Sequence, residues 1–195
     1  AGLPTPEWRV IVGSGARGQS GRRSAGWSAE SRLEGEPIDL PLPLVVKPVD
    51  SGSSVDLTIA RDGDTLRDAA AGVCRRHGRC LVERFVKGRE LTVGVLDGRA
   101  LPPIEIIVHG HEFYDYKAKY FDDTTEYLVE PALPAGVRAE LCRLAVAAHE
   151  SLGCRDFSRV DFIVPPAGGP TLLEVNTIPG FTSHSLLPKA AAAAG

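Results

Sequence analysis

The chain has 195 residues, 43% hydrophobic and 24% charged, with a formal net charge of −3. This is ordinary globular composition with enough length for one or two small domains, and the absence of a basic excess or an aromatic-plus-basic cluster excludes a nucleic-acid-binding surface. The apolar runs are too short to span a bilayer, and no charged start leads into an apolar core as in a secretory signal, so the expected location is the cytoplasm, with neither nucleic acid nor membrane as partner.

In chain order, Trp8-Arg9-Val10-Ile11-Val12 reads as a short strand. Residues 13–37 are rich in Gly, Ser and Arg without an apolar period and read as a flexible insertion. Gly13-Ser14-Gly15-Ala16-Arg17-Gly18 has the spacing of a dinucleotide fingerprint. That fingerprint needs a helix starting at the third glycine, and Gln19-Ser20-Gly21-Arg22-Arg23-Ser24 cannot make one. Leu42–Pro48 reads as a buried strand carrying Lys47, followed by the glycine-serine loop Val49–Val55. The loop is either an ordinary turn or a phosphate clamp, because backbone N–H groups and hydroxyls after a strand can face phosphate oxygens. It is not a Walker loop, since the lysine precedes it.

A helix is expected over 65–77, capped by Asp64 or Thr65, with Leu66, Ala69, Ala70, Val73 and Cys74 as its apolar stripe. Strands Cys80–Val86 and Arg89–Leu96 flank a Lys87-Gly88 turn, and Asp97-Gly98 signals a hairpin into Ala100–Val108. Glu105 reads as a satisfied strand carboxylate. Tyr114–Phe121 is polar and aromatic and suits a lid, although Tyr114 and Tyr116 read as packing residues. A second helix is expected over 137–152, stopped by Gly153. Cys74, Cys80, Cys142 and Cys154 form no Cys-x-x-Cys pair and read as buried free thiols.

The most informative stretch comes last. In Arg159–Val164, Val160, Phe162 and Val164 share one face while Arg159 and Asp161 share the other. Pro165–Pro170 reads as a hairpin loop, and in Leu172–Asn176 the side chains of Glu174 and Asn176 leave one face. Pairing the strands can bring Asp161, Glu174 and Asn176 together. Two carboxylates and an amide beside an arginine suit Mg²⁺, although a polar, solvated hairpin face has the same appearance. Strands and helices alternate through hairpins rather than βαβ units, so the expected fold is α+β, with antiparallel sheets carrying helices on one face.

The motifs together resemble the D-alanine–D-alanine ligase family of ATP-grasp enzymes. They are Leu44-Val45-Val46-Lys47-Pro48, Gly52-Ser53-Ser54-Val55, Leu81-Val82-Glu83, Gly88-Arg89-Glu90-Leu91-Thr92-Val93, Phe113–Tyr116, Ala118-Lys119-Tyr120, Arg159-Val160-Asp161 and Leu173–Leu186. The match covers residues 40–195, with Ala1–Pro6 also similar. The resemblance implies an ATP-grasp fold of two α+β subdomains whose antiparallel sheets grip ATP between them: 1–87, containing the 13–37 insertion, and 88–195, carrying the metal and substrate site and truncated at its end. It also implies an ATP-dependent, ADP-forming ligase of peptidoglycan precursor synthesis. ATP phosphorylates one D-alanine, and a second D-alanine attacks the D-alanyl phosphate.

By the same resemblance, Asp161, Glu174 and Asn176 hold two Mg²⁺ ions, or Mn²⁺ in their place, while Lys47 and Lys119 contact phosphates. Glu83, Val86 and Glu90 hold adenine and ribose, Arg159 and the Gly180 N–H form the oxyanion hole, and Ser185 and Leu186 bind the second D-alanine. Ser53 and Tyr120 link the glycine-serine loop to the lid, and Tyr120 favours D-alanine over D-lactate as second substrate. His184 reads as a hydrogen-bonded structural residue.

The sequence also departs from the family at several points. Its N-terminal domain, which supplies a glutamate and a lysine and through which members commonly form homodimers, is not in this sequence. Val49-Asp50-Ser51 replaces a more basic segment, and Asp56 stands where a small residue is usual, as a carboxylate expected to repel phosphate. The alternatives are an inactive ATP-grasp fragment that binds nucleotide at most, or another ATP-grasp carboxylate–amine ligase.

Overall fold

The computed structural model describes residues 2–13, 33–34, 38–52, 54–108 and 125–195. These form two compact units, one within residues 7–85 and the other made of residues 2–6 and the described residues from 86 onward. The chain passes from one unit to the other between Phe85 and Val86. Residues 2–6 group with the later unit, where the Leu172 N–H donates to the Pro4 carbonyl at 2.7 Å.

The first unit contains β1 (Trp8–Gly13), β2 (Leu33–Glu34), β3 (Leu44–Pro48), β4 (Thr58–Ala60), α1 (Gly63–His77) and β5 (Arg79–Arg84). Its sheet runs β2-β1-β5-β3-β4, with every pairing antiparallel. Strand alternation puts Ile11, Leu44, Val46, Ala60, Cys80 and Val82 on one face, where they bury against Ala70, Val73 and Cys74 of α1. Each buried aliphatic side chain of this size contributes about 1.5–3 kcal/mol. Helix α1 starts two residues earlier than expected because Asp62 is its cap, with Oδ1 accepting from the Thr65 N–H at 2.7 Å. Gly78 ends it at φ 77°, donating its N–H to the Cys74 carbonyl at 2.8 Å.

The second unit contains β6 (Arg89–Leu96), β7 (Arg99–Ala100), β8 (Ile104–Val108), β9 (Thr125–Val129), α2 (Val137–Ser151), β10 (Phe157–Val164), β11 (Thr171–Asn176) and α3 (Leu186–Ala194). Its sheet runs β11-β10-β6-β8-β9, with β7 pairing β6. The strand expected over 100–108 is split, because Pro102 and Pro103 lack the N–H a ladder needs. Arg89 and Glu105 meet in a two-pronged pair at 2.7 and 2.6 Å, so Glu105 is the satisfied strand carboxylate expected.

Helices pack on both faces of this sheet, not on one as expected. Leu91, Val93, Val95, Val160, Phe162 and Val164 bury against Leu141, Leu144, Ala145 and Ala148 of α2. On the other face, Leu101, Ile104 and Ile106 bury against Leu186, Leu187 and Ala190 of α3. Gly94 permits that approach, since a Cβ there would lie 2.6 Å from Leu187 Cδ1 and 2.9 Å from Leu101 Cδ1. Helix α3 was not expected. Its signals were an alanine run, a strong helix former, and a proline in the first turn, where no intrahelical N–H is lost. Among the described residues no helix is long and apolar enough to cross a membrane.

Candidate functional site

In the second unit the antiparallel register assembles the polar face. Asp161 stands opposite Glu174 on β11 and opposite Thr92 on β6, and Arg159 stands opposite Asn176 and Gly94. Directly opposed residues share a face, so Glu174, Asp161 and Thr92 form one row, with Asn176 and Arg159 in the next.

A β-bulge makes this possible. Phe162 pairs with Leu172 while Asp161 pairs with Glu174, leaving Leu173 as the extra residue. Leu172 packs into the α2 core, and simple alternation would put Glu174 on that same core face. The bulge shifts the phase by one residue and turns Glu174 toward Asp161. The three residues expected to hold metal therefore lie on one face of one hairpin.

Asp161 is 7% exposed and strongly held. Its Oδ1 accepts from Arg159 Nε at 2.9 Å and from Thr92 Oγ1 at 2.6 Å, and its Oδ2 accepts from Arg159 Nη2 at 2.8 Å. Arg159, expected to face an oxyanion, is thus also the ion-pair partner of a metal-ligand candidate. Asn176 Oδ1 accepts from the Ile178 N–H at 3.1 Å, and its second lone pair can serve a cation. The donor set is hard oxygen, which fits Mg²⁺ or Mn²⁺. Among the described residues no group of three or more His, Cys, Asp and Glu side chains forms a metal cage.

Past β11, the hydroxyl run folds on itself. Thr182 N–H donates to Ser185 Oγ at 3.1 Å, Thr182 Oγ1 lies 2.9 Å from Ser185 Oγ, and Ser185 N–H donates to the Thr182 carbonyl at 2.9 Å. A Cβ at Gly180 would lie 2.7 Å from Ser185 Oγ, so Gly180 and Ser185 are neighbours, and a side chain at 180 would push the Ser185 hydroxyl from its place. Ser185 occupies the N-cap position of α3, yet its hydroxyl makes no capping bond because it is turned to Thr182. Leu186 follows as the first helical residue and is buried. His184 is exposed and lies 3.3 Å from Ser183 Oγ through Nδ1, consistent with a hydrogen-bonded structural role.

In the first unit, the sheet face away from α1 carries two opposed rows: Trp8, Glu83 and Val45, then Val10, Leu81 and Lys47. Glu83 is 6% exposed and pairs with Lys47, Nζ to Oε1 at 2.5 Å. Two residues expected to contact different parts of a nucleotide therefore neutralise each other. This pairing joins residues far apart in the chain, and no sequence signal announced it. In the second unit, which includes Val86, Glu90 is the second residue of β6 and stands opposite Ile163 and Ile106. Ser53, Lys119, Tyr120, Tyr114, Tyr116 and nearly all of 13–37 lie outside the described residues.

Asp56 corrects an expectation. At φ 58°, its carboxylate turns to the end of α1, where Oδ2 accepts from Arg76 Nε at 2.9 Å and lies 2.7 Å from His77 Nε2. Its charge is matched within this cluster instead of being left to repel phosphate. The Arg76 and then the His77 hydrogen bond hold its carboxyl below the ordinary value of 3.8. A depressed folded-state value contributes stability that is present above 3.8 and is lost as pH falls through the folded value. Asp56→Asn is therefore expected to melt below the wild type at neutral pH, and the gap should close on acidification below 3.8. Thermal melts across the acid range check this.

All four cysteines are free, with Cys74 and Cys80 buried and Cys142 and Cys154 partly so. Burial pushes the Cys80 thiol up to about 12.

A family model described as D-ala D-ala ligase C-terminus matches residues 1–195. The chain is 49% identical over 159 residues to a D-alanine–D-alanine ligase of Anaeromyxobacter sp., covering 80% of this chain and 51% of that protein. It is 46% identical over 194 residues to one of Actinobacillus pleuropneumoniae, covering 100% of this chain and 59% of that protein. The chain thus spans about half the length of the curated relatives it matches. Among solved structures, the Bacillus anthracis D-alanine–D-alanine ligase complexed with ATP superposes with a TM-score of 0.76 at 30% identity, covering 100% of this chain and 56% of that one. The VanG D-Ala:D-Ser ligase of Enterococcus faecalis superposes with a TM-score of 0.76 at 26% identity, covering 100% and 53%. With two antiparallel sheets carrying helices, and a match running from end to end, the chain belongs to the D-alanine–D-alanine ligase C-terminal family and has its α+β ATP-grasp fold.

Proposed function

We propose that this chain carries out the nucleotide-dependent chemistry of a D-alanine–D-alanine ligase for peptidoglycan precursor synthesis. One D-alanine carboxylate attacks the γ-phosphorus of ATP and ADP leaves. The amine of a second D-alanine attacks the acyl carbon of the D-alanyl phosphate, loses a proton, and phosphate departs. Phosphoryl transfer of this kind depends on positioning and charge neutralisation.

The observation that carries the reading is the bulged hairpin, which places Asp161 opposite Glu174 with Asn176 beside them, in a chain matched throughout by the family model. Asp161, Glu174 and Asn176 would hold two Mg²⁺ ions, or Mn²⁺, and the metal supplies neutralisation of phosphate charge. Lys47, with Lys119, holds the phosphates as a cation, while Glu83, Val86 and Glu90 take adenine and ribose. Arg159, kept in place by Asp161, and the Gly180 N–H stabilise the oxyanion. Ser185 and Leu186, at the N-terminal end of α3, receive the carboxylate of the second D-alanine. Ser53 and Tyr120 close the lid, which keeps water from the acyl phosphate. The setting is cytoplasmic, and the full-length form is a homodimer.

The test is phosphate release from Mg-ATP with and without D-alanine, with D-serine and D-lactate as competing second substrates. D-alanine-dependent release is expected. ATP binding by calorimetry without release would leave a nucleotide-binding module in place of a ligase, and no binding would overturn the reading.

A further inference from the structure

Thr92 lies in the middle of β6, buried to 2% exposure, and nothing in the proposed reaction uses it. It stands directly opposite Asp161 in the β6/β10 register. Its hydroxyl has one proton to donate. Two oxygens are near: Asp161 Oδ1 at 2.6 Å and the Val160 carbonyl at 3.4 Å. The shorter contact, to a charged acceptor, takes the proton.

Asp161 Oδ1 therefore accepts two hydrogen bonds, one from Thr92 Oγ1 and one from Arg159 Nε. A carboxylate oxygen has two lone-pair sites, so these donors fill Oδ1. Any cation bound by Asp161 must then be met by Oδ2 alone. Monodentate carboxylates suit the small octahedral shell of Mg²⁺, whereas the larger and looser shell of Ca²⁺ also accepts a carboxylate through both oxygens.

We propose that Thr92 is a specificity-determining residue that keeps Asp161 a one-oxygen ligand and so favours Mg²⁺ and Mn²⁺ over Ca²⁺. The inference rests on the reading of Asp161 as a metal ligand. Removing the Thr92 hydroxyl reopens a lone pair on Oδ1 and takes away one of the hydrogen bonds that fix the carboxylate, leaving the Arg159 fork. Mg²⁺ then meets a less firmly held ligand, while Ca²⁺ gains a second oxygen.

The test is Mn²⁺ binding, followed by electron paramagnetic resonance with a non-hydrolysable ATP analogue present and with Mg²⁺ and Ca²⁺ as competitors. Thr92→Val removes the hydroxyl and keeps the shape. Changing a partner that orients a metal ligand typically costs 10–100-fold in affinity. Thr92→Val is expected to weaken Mn²⁺ and Mg²⁺ by about that factor and to let Ca²⁺ compete about tenfold better relative to Mg²⁺. Thr92→Ser should restore the wild-type preference. If Thr92→Val does not fold, Thr92→Ala makes the same comparison without overfilling the site. An equal loss for all three ions, or an unchanged preference in a variant that melts like the wild type, overturns the proposal while the metal reading stands. If the wild type binds no Mn²⁺ with the analogue, both fall.

Discussion

Asp161→Ala is expected to end phosphate release from Mg-ATP, with a fall of at least about a thousandfold. The change removes one of two carboxylates from the hairpin face and also strips Arg159 of its two-pronged partner. Losing this two-pronged contact to an Arg159 side chain that is only 17% exposed is also expected to lower the melting temperature. Asp161→Asn separates the two effects. Its amide oxygen can still accept from Arg159 or Thr92, so it should melt closer to the wild type and remain inactive. Glu174→Gln, on an exposed residue, should abolish release with little change in melting. Unchanged turnover in any of the three variants would sink the metal assignment.

The second large effect is expected at Lys47. Lys47→Met leaves the Glu83 carboxylate at 6% exposure without its cation, and breaking a buried pair from one side costs about 3 kcal/mol. Loss of a phosphate-holding charge should also weaken ATP by about a hundredfold, the scale of a charge-assisted contact worth about 2–3 kcal/mol. Lys47→Met combined with Glu83→Leu removes both charges. The double variant should recover most of the stability and none of the ATP binding. Melts and calorimetry measured together on both variants decide it. If the single variant melts like the wild type, the ion pair contributes nothing. If it binds ATP normally, Lys47 is structural only.

Much of the site was legible because strand periodicity is strict. Val160, Phe162 and Val164 had to leave the opposite face from Arg159 and Asp161, and they do, packing on α2. Glu174 and Asn176 had to share a face, and a proline-rich loop between the strands announced the hairpin. The caps were less legible. Asp62, Asp64 and Thr65 are all capping residues, and only the Asp62 bond to Thr65 chooses among them. Helix α3 is hard to read from its sequence because its apolar run has no polar face, although alanine favours a helix wherever a core will receive it.

The family, the α+β class and the residue types at the hairpin can be read without coordinates. These depend on local spacing and on motifs a few residues long. The choice of partners depends on the folded chain. The bulge at Leu173 turns Glu174 onto Asp161, Asp56 closes on Arg76 and His77, Lys47 on Glu83, and Thr92 on Asp161. Each of these pairings except the bulge joins residues at least 20 positions apart. Periodicity assigns a side chain to a face, but sheet register and strand order choose its neighbour, and both are set by how the whole core packs.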